Sequence, residues 1–251
     1  MPLLSTYDRK ARLIPGLLGL APVPITIATL GLRQFPAVTV ALALISIAGG
    51  GYFLSVLVAN FGRRSQTMLW QEWGGRPTTQ LLRTRQPADN PMQRDLWRNA
   101  LSRRTGIRLP APSEELADPS ATDHAIETAI EQVLHYGQDE RFPILLSENS
   151  QYGLERNLYG FRKAGRLIAV LCIAGLGTAL YWANWAPPSA ISAGIVANII
   201  VLGIWLFLPS AQRTKEAGFR YATQLLKSVA RAEQEERSQP PSSQPSVEGD
   251  S

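Results

Sequence analysis

The residues of this chain best able to do chemistry are arginines, tryptophans and glycines rather than paired acids or nucleophiles. The most distinctive run is Leu69-Trp-Gln-Glu-Trp-Gly-Gly-Arg-Pro-Thr-Thr79. Two glycines ahead of a helix start expose backbone N–H groups. With Trp73, Gly74, Gly75, Arg76, Thr78 and Thr79 such a run would cradle a small anion, and Trp70 or Trp73 would stack on a base. The Gly-Lys-Ser/Thr ending of a Walker loop is missing. On the structural reading, the tryptophans seat a helix and the glycines only turn the chain. Arg94 and Arg98 stand one helical turn apart, with Arg103 and Arg104 beyond them. Such a pair would grip a phosphate, or lie solvated, paired with acids such as Asp95, or against anionic lipid. Glu148, Asn149, Tyr152 and Arg156 fall within two turns of one another just before an apolar stretch. They would pass a binding event to a membrane, or form a capping and salt-bridge network.

Other chemistries find little support. His124 and His135 are the only histidines, eleven positions apart, which is not the spacing of a metal pair on one helix face. No metal or other cofactor is expected. The single cysteine, Cys172, lies in apolar sequence, where a thiol stays protonated and inert. No Ser/His/Asp order, paired-carboxylate motif or dinucleotide glycine pattern stands out, so an enzyme is not expected. The net charge of +5 does not call for nucleic acid, because membrane topology already gathers Arg and Lys on one side.

The elements that must position these residues follow from four apolar stretches. Residues 13–32, 37–61, 167–186 and 189–209 contain no Asp, Glu, Lys, Arg or His. Each reaches the roughly 20 residues that a helix needs to cross a bilayer core. Arg9, Lys10 and Arg12 precede the first, Arg63 and Arg64 follow the second, and Arg162, Lys163 and Arg166 precede the third. Arg213 and Lys215 follow the fourth, whereas the turns at 33–36 and 187–188 carry one charge and none. Cationic flanks stay on the cytoplasmic side. The expected protein is an α-helical integral membrane protein, two hairpins with a mostly helical cytoplasmic domain inserted between them.

The parts are a cytoplasmic N-terminus (1–12), hairpin one (13–61), the insert (62–166), hairpin two (167–209), an amphipathic cytoplasmic helix (210–237) and a disordered tail (238–251). Trp182, Trp185, Trp205 and Phe207 would form aromatic belts. An ionisable group within a span would signal transport or proton chemistry, and these spans hold none. Asn198 would hydrogen-bond across to another helix or back to its own chain. Gly49, Gly50 and Gly175 would allow close helix contact. Pro22 and Pro24 would kink the first span.

Within the insert, Asn90 is read as a cap for a helix that turns Met92, Leu96, Trp97, Ala100 and Leu101 inward and ends at Gly106. Residues 109–113 read as a loop. Asp118 leads a helix carrying Ile126, Ala129, Ile130 and Val133 at helical spacing. Residues 142–146 are too short to distinguish a strand from a helical entry. Phe219, Ala222, Leu226 and Val229 share a face suited to the membrane surface, a partner helix or the insert itself.

The cationic flanks place both termini on the cytoplasmic side. The segments LWQEWGGRPTT, NPMQRDLWR and ENSQYGLERNLYG resemble those of uncharacterised bacterial membrane proteins, which implies a bacterial inner membrane. In architecture alone, the chain is similar to four-span effectors of bacterial antiphage defence. That likeness implies an insert that senses a ligand, a small anion among the candidates, or a protein partner. It further implies hairpins that oligomerise in lipid and permeabilise it. A passive anchor or assembly subunit is the alternative.

Overall fold

Prolines open most of the helices, and a few end just before a glycine. The computed structural model describes residues 9–40, 50–182 and 187–238. A π-helical turn, Arg9–Leu13, leads into α1 (Ile14–Leu20) and α2 (Pro22–Thr29), the two parts of the first apolar stretch. Residues 36–40 are helical, and the remainder of the second stretch that is described lies in α3 (Gly50–Glu72). Then come α4 (Pro77–Leu82), α5 (Pro91–Thr105), α6 (Pro112–Ala117) and α7 (Pro119–Val133). A 3-10 turn, Leu134–Gln138, precedes α8 (Pro143–Trp182), α9 (Pro188–Phe207) and α10 (Ala211–Ser238). No strand occurs among the described residues.

Three segments are long and apolar enough to cross a membrane: Lys10–Thr29, Pro143–Trp182 and Pro188–Phe207. The expected span 37–61 includes residues 41–49, which lie outside the described residues, as do Gly49, Trp185 and the tail beyond Ser238. Large apolar side chains such as Leu17, Leu171, Ile200 and Phe207 are exposed on the three apolar segments. Lipid is the solvent in which such faces are stable.

The chain forms two compact units, residues 1–74 with 147–218, and residues 75–146 with 219–251. In the first, the buried residues of α9 are Ile191, Gly194, Asn198, Val201 and Trp205. Their alternating three- and four-residue spacing defines one helix face. It meets the first apolar segment antiparallel, Gly194 against Thr29 and Trp205 against Leu18. The glycine on α9 makes this approach possible, since a Cβ there would stand 2.5 Å from Thr29 Oγ1. A second crossing joins α3 to α8. A Cβ on Gly160 would lie 2.6 Å from the Phe61 backbone, and one on Gly62 would overlap the Asn157 amide. Leu54, Val58, Leu158 and Phe161 fill the core beside these contacts.

Trp205 departs from its expected place in an aromatic belt. It is fully buried, over Gly165 and beside Phe161, because glycine leaves room for an indole. Phe207 and Trp182 are exposed, the latter in an edge-on pair with Tyr181.

In the second unit, Asn90 caps α5 through Gln93 N at 3.0 Å, and Asp118 caps α7 through Ala121 N at 2.9 Å. Gly106, at φ 70°, ends α5. Trp97, Ala100 and Leu101 face inward, but Met92 and Leu96 are exposed. The buried side of α5 is centred on Trp97, Arg98 and Leu101, so a position one turn earlier on the Met92–Leu96 edge faces out. Residues 142–146 are a helical entry, with Phe142 and Leu145 buried at the start of α8. The expected loop at 109–113 gives way to α6 from Pro112, a proline start suited to a first helical turn. The apolar face of α10 belongs to this unit. Leu225, Leu226 and Val229 join Leu82, Leu101, Ile126, Ile130 and Tyr136 in one core.

Candidate functional site

Residues 83–90 form a loop without regular backbone pairing, and its carbonyls must find donors elsewhere. Arg94 on α5 supplies two of them, and Arg98 holds the carbonyls of Leu82, just before the loop, and of Pro110. Arg94 Nη1 donates to the carbonyls of Arg83 and Gln86, each at 3.0 Å. Arg98 Nη1 donates to Leu82 O at 2.6 Å, and its Nη2 to Pro110 O. Burial holds the Arg98 guanidinium below its ordinary pKa.

The same loop is bound from its other side by charge. Arg83 and Arg85 both fork onto Asp123 at 2.8–2.9 Å. Arg85 Nη1 also reaches Glu115 at 3.0 Å. Glu115 is fully buried and accepts from the backbone N–H of Thr84 at 2.9 Å and from its hydroxyl at 2.5 Å. Burial pushes the Glu115 and Asp123 carboxyls up. The hydrogen bonds from Thr84 to Glu115 and from Arg83 and Arg85 to Asp123 outweigh it, holding both below their usual range.

Between this loop and α5 opens a cleft of about 440 Å3. Its walls carry Gln80, Gln86, Asn90 and Gln93 amides, the Arg83 and Arg94 guanidiniums, and the Asp89 carboxylate. Leu81, Pro87, Trp97 and Phe219 supply apolar surface, and α10 adds Thr223. Trp97 Nε1 is buried in the wall with no hydrogen-bond partner among the described residues. With both guanidiniums engaged, a small neutral or singly anionic polar molecule suits this lining better than a polyphosphate.

Of the ligand residues expected from sequence, Arg94 alone is among those lining the cleft. Arg76 pairs with Glu127 and Glu131 of α7 at 3.6 and 3.2 Å. Thr78 and Thr79 are buried in α4. Gly75, at φ 130°, leaves space for Arg83 Nη2, which a Cβ would approach to 2.7 Å. Trp73 and Gly74, at φ 81°, belong to the first unit. The structure thus divides a run that is contiguous in sequence. The cleft residues Gln80, Gln86 and Gln93 carried no motif; their only signal was an unusual density of amides around Asn90.

In the first unit, Glu148 and Asn149 are half-buried on α8. Tyr152 is buried, with the Arg156 guanidinium 5.9 Å from its ring centre. Arg156 Nη1 donates to Gln66 Oε1 on α3 at 2.6 Å. Two further polar residues of the same run complete the network. Glu155 is buried and accepts from Arg213 Nη2 at 2.8 Å. Asn157 is fully buried, and its amide donates to Ala11 O at 2.6 Å. Asn198 Nδ2 donates to Gly194 O at 3.0 Å and to Thr26 Oγ1 at 3.4 Å, serving its own helix and a neighbour at once. Gly50 is the first described residue of α3, and Gly175 faces open space.

What fold and site define is a class: an all-helical protein carrying membrane-length apolar helices. Compared with known protein families, curated proteins and solved structures, the chain matches none.

Proposed function

We propose that this is a bacterial inner-membrane protein with four spans and both termini cytoplasmic. Its soluble unit binds a small polar ligand, or a protein partner, and acts through the two membrane hairpins. The observation that carries this reading is the continuity of α8. Leu145, in the core of the second unit, and Leu176, in the apolar segment, belong to one unbroken helix. A change in the second unit that moves the start of α8 is a change in the same helix that enters the membrane. The cleft beside Arg94 is the ligand site of this proposal. In its sharpest form the protein is a defence effector that oligomerises and permeabilises the membrane.

The test uses the full chain reconstituted in dye-loaded vesicles and challenged with a panel of small polar metabolites. Release that depends on one compound, and falls when Gln93 and Asp89 are replaced by Ala, is the expected result. No release, with a monomeric mass in detergent, would overturn the effector form. A passive anchor that docks another protein is the second reading, favoured by the engagement of Arg76, Arg94 and Arg98 within the fold. Stoichiometric co-purification of a partner, with no ligand response, would establish it.

A further inference from the structure

We infer that the cleft beside Arg94 takes a free α-amino acid, held as a zwitterion between Arg94 and Asp89. This rests on the ligand reading of the proposed function and names the class of molecule that the cleft holds. The cleft lies wholly within the second unit, lined from Gln80 to Trp97 and by Phe219 and Thr223. Its volume of about 440 Å3 is near the lower end of ligand-sized cavities.

Three charged side chains line it: Arg83, Asp89 and Arg94. Arg83 is neutralised where it stands, forked onto Asp123 at 2.8–2.9 Å. Arg94 differs, because its Nη1 spends both hydrogens on main-chain carbonyls, those of Arg83 and Gln86. Carbonyl oxygens satisfy the donors without cancelling the charge. Asp95 stands 4.0 Å from Nε and is itself exposed. Nη2 makes no hydrogen bond among the described residues and, unlike the buried Nε, reaches solvent. Asp89 is exposed, with no ion pair or side-chain hydrogen bond among the described residues.

The cleft therefore presents one open charge of each sign, on one short loop and the helix that follows it. Arg94 Nη1 touches Gln86 O at 3.0 Å, and the chain from Gln86 to Asp89 spans at most roughly 11 Å. An α-amino acid with a close contact at each of its charges bridges up to about 9 Å. A simple anion is repelled by Asp89 and a simple cation by Arg94, whereas a zwitterion is attracted at both ends. The amides of Gln86 and Gln93 line the same space, and Trp97 and Phe219 give its side chain an apolar wall.

The test measures binding of each of the twenty standard amino acids to the full chain in mild detergent by calorimetry. At least one should bind, and removing either of its charges should weaken it. The α-hydroxy acid analogue, without the ammonium, should bind roughly fivefold less well. The carboxamide, without the carboxylate, should bind roughly tenfold less well. Asp89→Asn should weaken the amino acid as much as loss of the ammonium does and leave the hydroxy acid unaffected. Arg94 also holds the loop, so its charge is probed from the ligand side; that comparison stands even if the Asp89 variant fails to fold.

Equal binding of the amino acid and its hydroxy acid, or a loss in Asp89→Asn shared by both, would overturn the inference. Tighter binding of a dipeptide ending in the same residue would overturn the assignment to a free amino acid. If no amino acid binds, a different small polar compound that binds and is lost with Gln93→Ala overturns the zwitterion alone. No binding by any compound overturns the ligand reading itself.

Discussion

The indole Nε1 of Trp205 donates to the main-chain carbonyl of Leu18 at 3.4 Å, and that carbonyl is available because Pro22 stands four positions on. Proline has no N–H to return to the preceding turn. The same relation recurs one helix end away, where Asn157 donates to Ala11 O, four positions before Pro15. Membrane-length helices tolerate proline when a neighbour supplies the missing donor, and here α9 and α8 each supply one.

Replacing Trp205 by Phe keeps most of the packing and removes the donor. It should cost about 1 kcal/mol of stability in detergent, read from thermal unfolding. In a Pro22→Ala background Leu18 O regains a helical donor, so the same replacement should cost measurably less. An unchanged cost in that double-mutant cycle would show that the indole contributes packing alone.

Gly160→Ala sets a methyl 2.6 Å from the Phe61 backbone, which cannot move aside as a flexible side chain would. A loss of about 1–3 kcal/mol is expected. Gly175→Ala, with open space around it, should be neutral or slightly stabilising through helix propensity. Thermal unfolding of the two variants side by side checks the contrast.

The carboxyls of Glu115 and Asp123 both titrate below their usual range. Their contribution is therefore complete above the ordinary carboxylate range and is lost as pH falls through the depressed folded values, below about pH 4. Protection of the amides of residues 83–86, measured against their intrinsic exchange at each pH, should fall in that acid window. Glu115→Gln leaves Arg85 without one carboxylate partner and should loosen the same segment already at neutral pH, by about 3 kcal/mol. Protection in the variant should then change less on acidification than in the wild type.

Cys172 is the chain's one cysteine and lies in the apolar part of α8. In intact membranes it should resist a bulky aqueous maleimide and react once detergent and denaturant are added. A Ser65→Cys replacement, just beyond Arg64 on α3, should label without denaturation. Equal labelling of both positions would place Cys172 in water.

The helical class and the membrane-length segments were legible because burial in lipid demands long uncharged runs, which composition alone reveals. The caps at Asn90 and Asp118 and the stop at Gly106 were legible for a similar reason: each acts within a few residues of its own position. Arg94 and Arg98 were legible as a pair on one helix face, but not their partners. A backbone carbonyl leaves no mark in sequence, so nothing distinguished a grip on Leu82 and Pro110 from a grip on phosphate. Glu115 and Asp123 were silent for the opposite reason, being ordinary acids until the fold brings Arg83 and Arg85 to them. Trp205 was misplaced because an interfacial and a buried tryptophan look alike unless Gly165 and Gly19 are known to face them.

The proline-freed carbonyls also set a timetable for synthesis. Leu18 and Trp205 are 187 positions apart, and Ala11 and Asn157 are 146 apart. At about 5–20 residues per second, the first apolar helix leaves the ribosome on the order of ten to forty seconds before the indole that completes it. Through that interval its open carbonyls must be served by water, by the insertion machinery or by a neighbouring chain. The first apolar helix is thus made well before it is completed, and the nascent chain is most exposed to mispairing while α8 and α9 are still being made.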